Sequence, residues 1–336
     1  MATPIDQIGL PELVPTLKIF AKAGGTTDHS DWMRGGKDEV NARKLVAFIN
    51  EQMAAEVVQK RASEVVIKES GYAGPYACER ARGPYWTYPT GWQPKSAVER
   101  AKILMPHFPG LDFSHVEALV ERYYVNVVAA GETNYREAPR AERKLVLPET
   151  ADGGLIVFPK LEAVLKCMRK PNKGWQPLNI AMKYLLGVIK EAFPAFSDYT
   201  NGMVGPEYEQ LLKVTARMLA KLGAKTPGDV LVLPFQAGAL FAGYSVRSSR
   251  GHMEALKRHI PAHDFANGCL ALTDPERFAQ GALVADCGGT ERAPRAGGDF
   301  CRAPYWCFDD GELEFHSRDV GHDNSNYGST SFVLPE

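Results

Sequence analysis

No stretch of this 336-residue chain approaches the roughly 18 consecutive apolar residues that a membrane-crossing helix needs, so no spanning helix is expected. Its first residues place Asp6 and Pro11 where a secretory leader would carry a basic start and an apolar run, and a cytoplasmic protein is the expectation. The six cysteines (Cys78, Cys167, Cys269, Cys287, Cys301 and Cys307) are too thinly spread for a disulfide scaffold, and no two form the C-x-x-C pair of a structural zinc site. Charge of one sign is lacking too. Thirty-nine Lys and Arg face forty Asp and Glu, a formal net charge of -1, so no whole-molecule field draws the chain to nucleic acid or an anionic membrane. A local basic groove is still compatible with that balance.

Known catalytic signatures are missing as well. The run G-A-L-F-A-G at 238 to 243 has neither the dinucleotide glycine arrangement nor the Gly-Lys-Ser/Thr ending of a phosphate loop. Around Ser245 the sequence reads G-Y-S-V-R, with Arg247 where a nucleophile elbow needs its second glycine. Cys287, in V-A-D-C-G-G, has no basic partner fixed by spacing, and a buried, inert thiol is expected. His252, His259 and His263 are interrupted by Pro261 and read as surface or cap residues rather than a metal triad.

What is present is the composition of a folded protein, 45% hydrophobic and 24% charged. Residues 38 to 69 are nearly free of helix breakers and carry an apolar stripe, which predicts one long helix or two abutting ones. Ser114 opens S-H-V-E, a capping-box pattern that predicts a helix to about Ala130. Further helices are expected at 95 to 105, 160 to 169, 177 to 192 and 206 to 222, and short strands at 144 to 147 and 155 to 158. From Val230 onward short apolar runs with many glycines replace helical periods. The fold expected is mixed α and β, helix-rich over the first two-thirds and sheet-rich in the last third, with a hairpin near 304 to 316 turning at Asp310-Gly311. The working division is 1 to 200 and 201 to 336, with one undivided unit as the alternative. The echoes R-G-P-Y-W/R-A-P-Y-W and G-W-Q-P differ in order and spacing, so no duplicated domain follows.

Three stretches carry candidate chemistry. The loop 71 to 94 interleaves Arg80 and Arg82 with Tyr85, Trp86 and Trp92, a pattern able to stack on a partner or clamp an anion, or to pack as a rigid loop. Gln236, Ser245, Arg247 and Arg250 follow a predicted buried strand, and with Arg302 and Arg318 they offer amide, hydroxyl and guanidinium donors suited to phosphate or carboxylate. His316, Asp319, His322 and Asp323 fall within eight residues and have the donor types of a divalent metal site, against the alternative of a hydrogen-bonded polar loop. Two functions remain open: a non-catalytic binding or assembly protein that uses its Arg/Tyr/Trp loops on another protein or on itself, and an enzyme for a small anionic substrate, metal-assisted or not.

Overall fold

The segment D-F-A-N-G-C-L-A-L-T has apolar or small residues on every face, and such a helix is stable only when surrounded. The computed structural model, which describes residues 66–68, 71–73, 86–126 and 143–334, buries all ten of these residues in one helix, Asp264–Thr273, at the centre of the fold. Two sheets and two further helices pack around it.

In chain order, β1 (Val66–Lys68) and β2 (Gly71–Ala73) pair antiparallel, so the end of the stretch expected as helix is extended. Helix α1 (Ala97–Leu104) starts at Ser96, whose side chain accepts from the Glu99 amide while Glu99 answers the Ser96 amide. The capping box expected at Ser114 does not form: its hydroxyl bonds Asp112 in a local turn, and α2 (Val116–Glu121) is short. After it β3 (Tyr124–Asn126) pairs with β4 (Arg143–Leu145), because the β-branched and aromatic run Y-Y-V-N-V-V suits a strand as well as a helix. Strand β5 (Leu155–Pro159) is buried throughout, and α3 (Pro177–Ala192) begins at the expected proline. The helix expected over 206 to 222 is replaced at its start by β7 (Glu209–Leu211), which follows the two-residue strand β6 (Ser197–Asp198); α4 then runs Lys213–Lys225.

Strand β8 (Val230–Gln236) is buried at every position, and α5 (Val246–Leu256), β9 (His259–Pro261) and the central helix α6 (Asp264–Thr273) follow. The C-terminal third is strands: β10 (Val284–Asp286), β11 (Thr290–Arg292), β12 (Arg302–Asp309), β13 (Glu312–Asp319), β14 (Tyr327–Ser329) and β15 (Ser331–Val333). The β12–β13 hairpin turns at Asp310 and Gly311, both at positive φ (46° and 87°), the two-residue geometry that Asp-Gly favours.

One sheet takes the order β14-β10-β12-β11-β7, with β13 on the other edge of β12 and β6 on β13; the second takes the order β5-β8-β15-β9. The fold is thus mixed α and β, with helices in the middle of the chain and strands in the last third. All described residues lie in the compact unit Ser63–Glu336, and one buried cluster runs from Ala97 to Phe332. Gly268 lets α6 approach its neighbours: a Cβ there would lie 2.5 Å from Leu185 of α3 and 2.9 Å from Trp306 of β12. No helix among the described residues is long and apolar enough to cross a membrane. The expected helix over most of 38 to 69, and Arg80, Arg82 and Tyr85, lie outside the described residues.

Candidate functional site: a cationic groove beside α5

The anion-binding candidates separate into those consumed by the fold and those facing open space. With its amide oriented so that both ends are satisfied, Gln236 accepts from the amides of Gly238, Ala239 and Leu240 (2.8 to 2.9 Å) and donates to Ser329 O at 3.1 Å. It therefore caps the 3-10 turn after β8. Ser245 is the N-cap of α5, accepting from the Ser248 amide at 3.2 Å. Residues Val246–Leu256 are thus a helix capped by Ser245.

Arg318 is buried and grips Asp286 through two bonds, Nε to Oδ1 at 3.1 Å and Nη2 to Oδ2 at 2.6 Å, with its guanidinium 3.6 Å above the Tyr327 ring. Burial pushes the Asp286 carboxyl up from its ordinary range, and the Arg318 charge opposes that rise. Arg302 stands at the start of β12, opposite Arg292 and Asp319 on the flanking strands.

Arg247 and Arg250 come together in a groove of about 880 Å³ between α5, the start of α4 and β9, where Lys213 and Lys257 join them. Arg250 is largely committed: it donates to the carbonyls of Gly288 (2.8 Å) and Thr290 (3.1 Å) and lies 3.5 Å from Glu291. Arg247 is exposed and makes no ion pair among the described residues. Four basic side chains therefore line the groove with two acidic ones, Glu254 and Glu291. His259 also lines it but is fixed between Ser331 (2.8 Å) and Thr150 (3.0 Å), and burial lowers its pKa to about 4, so it stays neutral.

The residues with metal-ligand chemistry are spread along β13 and its exit loop. The His316 ring stacks between Tyr305 (5.3 Å, 8°) and Tyr199 (5.0 Å). Asp319 accepts from the Gly321 amide at 2.7 Å, and His322 donates its own amide to the Asp319 carbonyl. Among the described residues no group of three or more His, Cys, Asp or Glu side chains is arranged to hold a metal. In the aromatic loop, Trp92 packs edge-on against Tyr88 at 5.0 Å, while Trp86 is 40% exposed.

The interior holds a polar centre that pattern reading missed. Glu209, 1% exposed on β7, finds no donor for either carboxyl oxygen among the described residues. The neighbouring acid is Asp264 of α6, and two acid oxygens bond to each other only through a proton. Burial first, then the Asp264 charge, pushes Glu209 well above the ordinary carboxylate range, with Arg292 opposing. Burial and the nearby acids likewise push the Cys287 thiol well up. His263 caps α6 through its ring: Nδ1 accepts from the Ala266 amide at 3.2 Å, which assigns the proton to Nε2. The only sequence signal at Glu209 was P-E-Y-E-Q-L, which reads equally well as a helix start.

Fold and groove together define an α and β protein that presents a cationic concavity along one helix. No protein-family model, no curated protein and no solved structure matches this chain, so its functional reading rests on that geometry.

Proposed function

We propose that the protein binds a small anionic molecule, carrying a carboxylate or a phosphate, in the groove beside α5. The observation that supports this is Arg247: an exposed guanidinium without an ion pair, in the same concavity as Lys213, Arg250 and Lys257. A guanidinium offers paired donors that match either anion. Arg250, held by two carbonyls, supplies a rigid positive wall at little entropic cost on binding. Calorimetric titration of the full chain with inorganic phosphate and with succinate tests the reading. Binding should weaken about tenfold in Arg247→Gln, the loss expected when a charged hydrogen bond worth about 1.4 kcal/mol is removed, and it should weaken with added salt. Equal affinity in the variant, or no heat from either probe at millimolar concentration, overturns it.

An interaction role for the 71 to 94 loop is the second reading, favoured by the exposed Trp86 ring. Its test is the oligomeric state by light scattering: Trp86→Ala should shift any self-association, and an unchanged mass at all concentrations removes self-association as its use.

A further inference from the structure

The stripe of α5 that lines the groove carries Arg247, Arg250, Glu254 and Lys257, spaced by three or four residues and so on one side of the helix. Arg250 and Lys257 stand two turns apart, about 10 Å along the axis, and Arg247 extends that span by nearly another turn. The start of α4 joins the arginine end. The Leu212 amide bonds the Gly289 carbonyl, while Arg250 holds the carbonyls on either side of it, Gly288 and Thr290. Three basic side chains, with Lys213 the third, therefore outweigh Glu291 there, and Glu291 is itself occupied by Arg250 (3.5 Å) and Gln210 (3.1 Å). Glu254 lies between the two ends, and much of the other lining is apolar, from Leu212, Val214, Met253, Ile260 and Pro261.

Lys257 ends α5 at φ 59° and ψ -22°, in the left-handed region that glycine or asparagine usually fills at a helix end. A lysine there carries a backbone cost that glycine avoids, and residues held at such a cost gather at binding sites. Its side chain is exposed, lines the groove and makes no ion pair among the described residues. We infer that the groove selects an elongated dianion, with one anionic group at Arg247 and Arg250, the other at Lys257, and an uncharged, apolar spacer passing Glu254. This rests on the reading of the groove as an anion site. Glu254 between the ends repels a ligand charged along its whole length, which disfavours a nucleic-acid strand.

Sebacate, a long dicarboxylate, is the probe. Its controls are succinate, whose carboxylates are too close together to reach both ends, and monomethyl sebacate, which has the length but one charge. Calorimetric titration into the full chain should show sebacate binding about tenfold tighter than either control, the gain of one further charged hydrogen bond. Lys257→Gly should lower the ratio of sebacate to succinate affinity about tenfold, to near one. Its melting temperature should be no lower than the parent's, because glycine adopts the left-handed conformation freely. Lys257→Asn, which also tolerates that conformation, reads the same loss if glycine loosens the helix end. A lysine is also favourable at the negative end of a helix, and that role alone would leave the ratio unchanged. Sebacate binding no tighter than succinate, monomethyl sebacate matching sebacate, or an unchanged ratio in both variants overturns the inference and leaves the anion groove standing. Failure of sebacate, succinate and inorganic phosphate alike to bind the parent overturns the groove reading itself, and the inference with it.

Discussion

Replacing Glu209 by glutamine keeps the shape of a side chain that is 1% exposed but takes away its acid proton, so the variant isolates the cost of holding that proton in the core. In the unfolded chain a glutamate titrates near 4.3. In the folded chain burial and the Asp264 charge raise it well above that, so between the two values the native state binds a proton that the unfolded state has released. The linkage sign follows. Stability from this group is full below about pH 4.3 and is lost as pH rises toward the folded-state pKa, at about 1.4 kcal/mol per pH unit. Glutamine does not titrate. The stability of Glu209→Gln relative to the parent should therefore grow as pH rises above about 4.3, for as long as the folded group keeps its proton. Urea unfolding of both proteins at pH 5, 6 and 7 reads this difference, because titrating groups remote from Glu209 cancel in it. A difference that does not change with pH would mean that Glu209 is ionised in the fold, paired with Arg292 rather than sharing a proton with Asp264, and would refute the reasoning.

Asp286→Asn should cost about 3 to 5 kcal/mol, since it leaves the Arg318 guanidinium buried and uncompensated; chemical unfolding measures it, and a loss below 1 kcal/mol would show the pair to be solvated. Gly268→Ala should destabilise by about 1 to 3 kcal/mol through its overlap with Leu185 and Trp306, and Leu185→Ala in the same chain should recover part of that loss. His252, His259 and His263, each lowered by burial to about 4, should stay neutral in the fold, so stability falls as pH drops from about 6.5 toward 4; ring proton shifts that titrate near 6.5 in the native protein would contradict this. A chelator should leave the melting temperature unchanged, because His316 is stacked between two tyrosines; a chelator-sensitive transition abolished by His322→Ala would instead support a metal on the 316 to 323 run.

Local chemistry alone determined the elements whose signals are short-range. Pro177 opens α3, Asp310-Gly311 turns the terminal hairpin, and Val230 begins a buried strand, because proline geometry, positive φ and apolar content act within a few residues. The same holds for the change from helices to strands along the chain. Where two conformations were locally balanced, tertiary pairing chose: Glu209–Leu211 became a strand because β11 lay alongside it, and Tyr124–Asn126 because β4 did.

For the site, the sequence identified guanidinium groups but not which of them keep their charge free. That depends on carbonyls and carboxylates dozens of residues away: Asp286 takes Arg318, Gly288 and Thr290 take most of Arg250, and Arg247 faces the groove. Lys213 and Lys257 joined it from α4 and the end of α5 without any pattern to announce them. Glu209 and Asp264, fifty-five positions apart, show the limit most clearly. Each is an ordinary acid in its own segment, and only the fold, by burying Glu209 beside Asp264, raises the Glu209 carboxyl above its ordinary range.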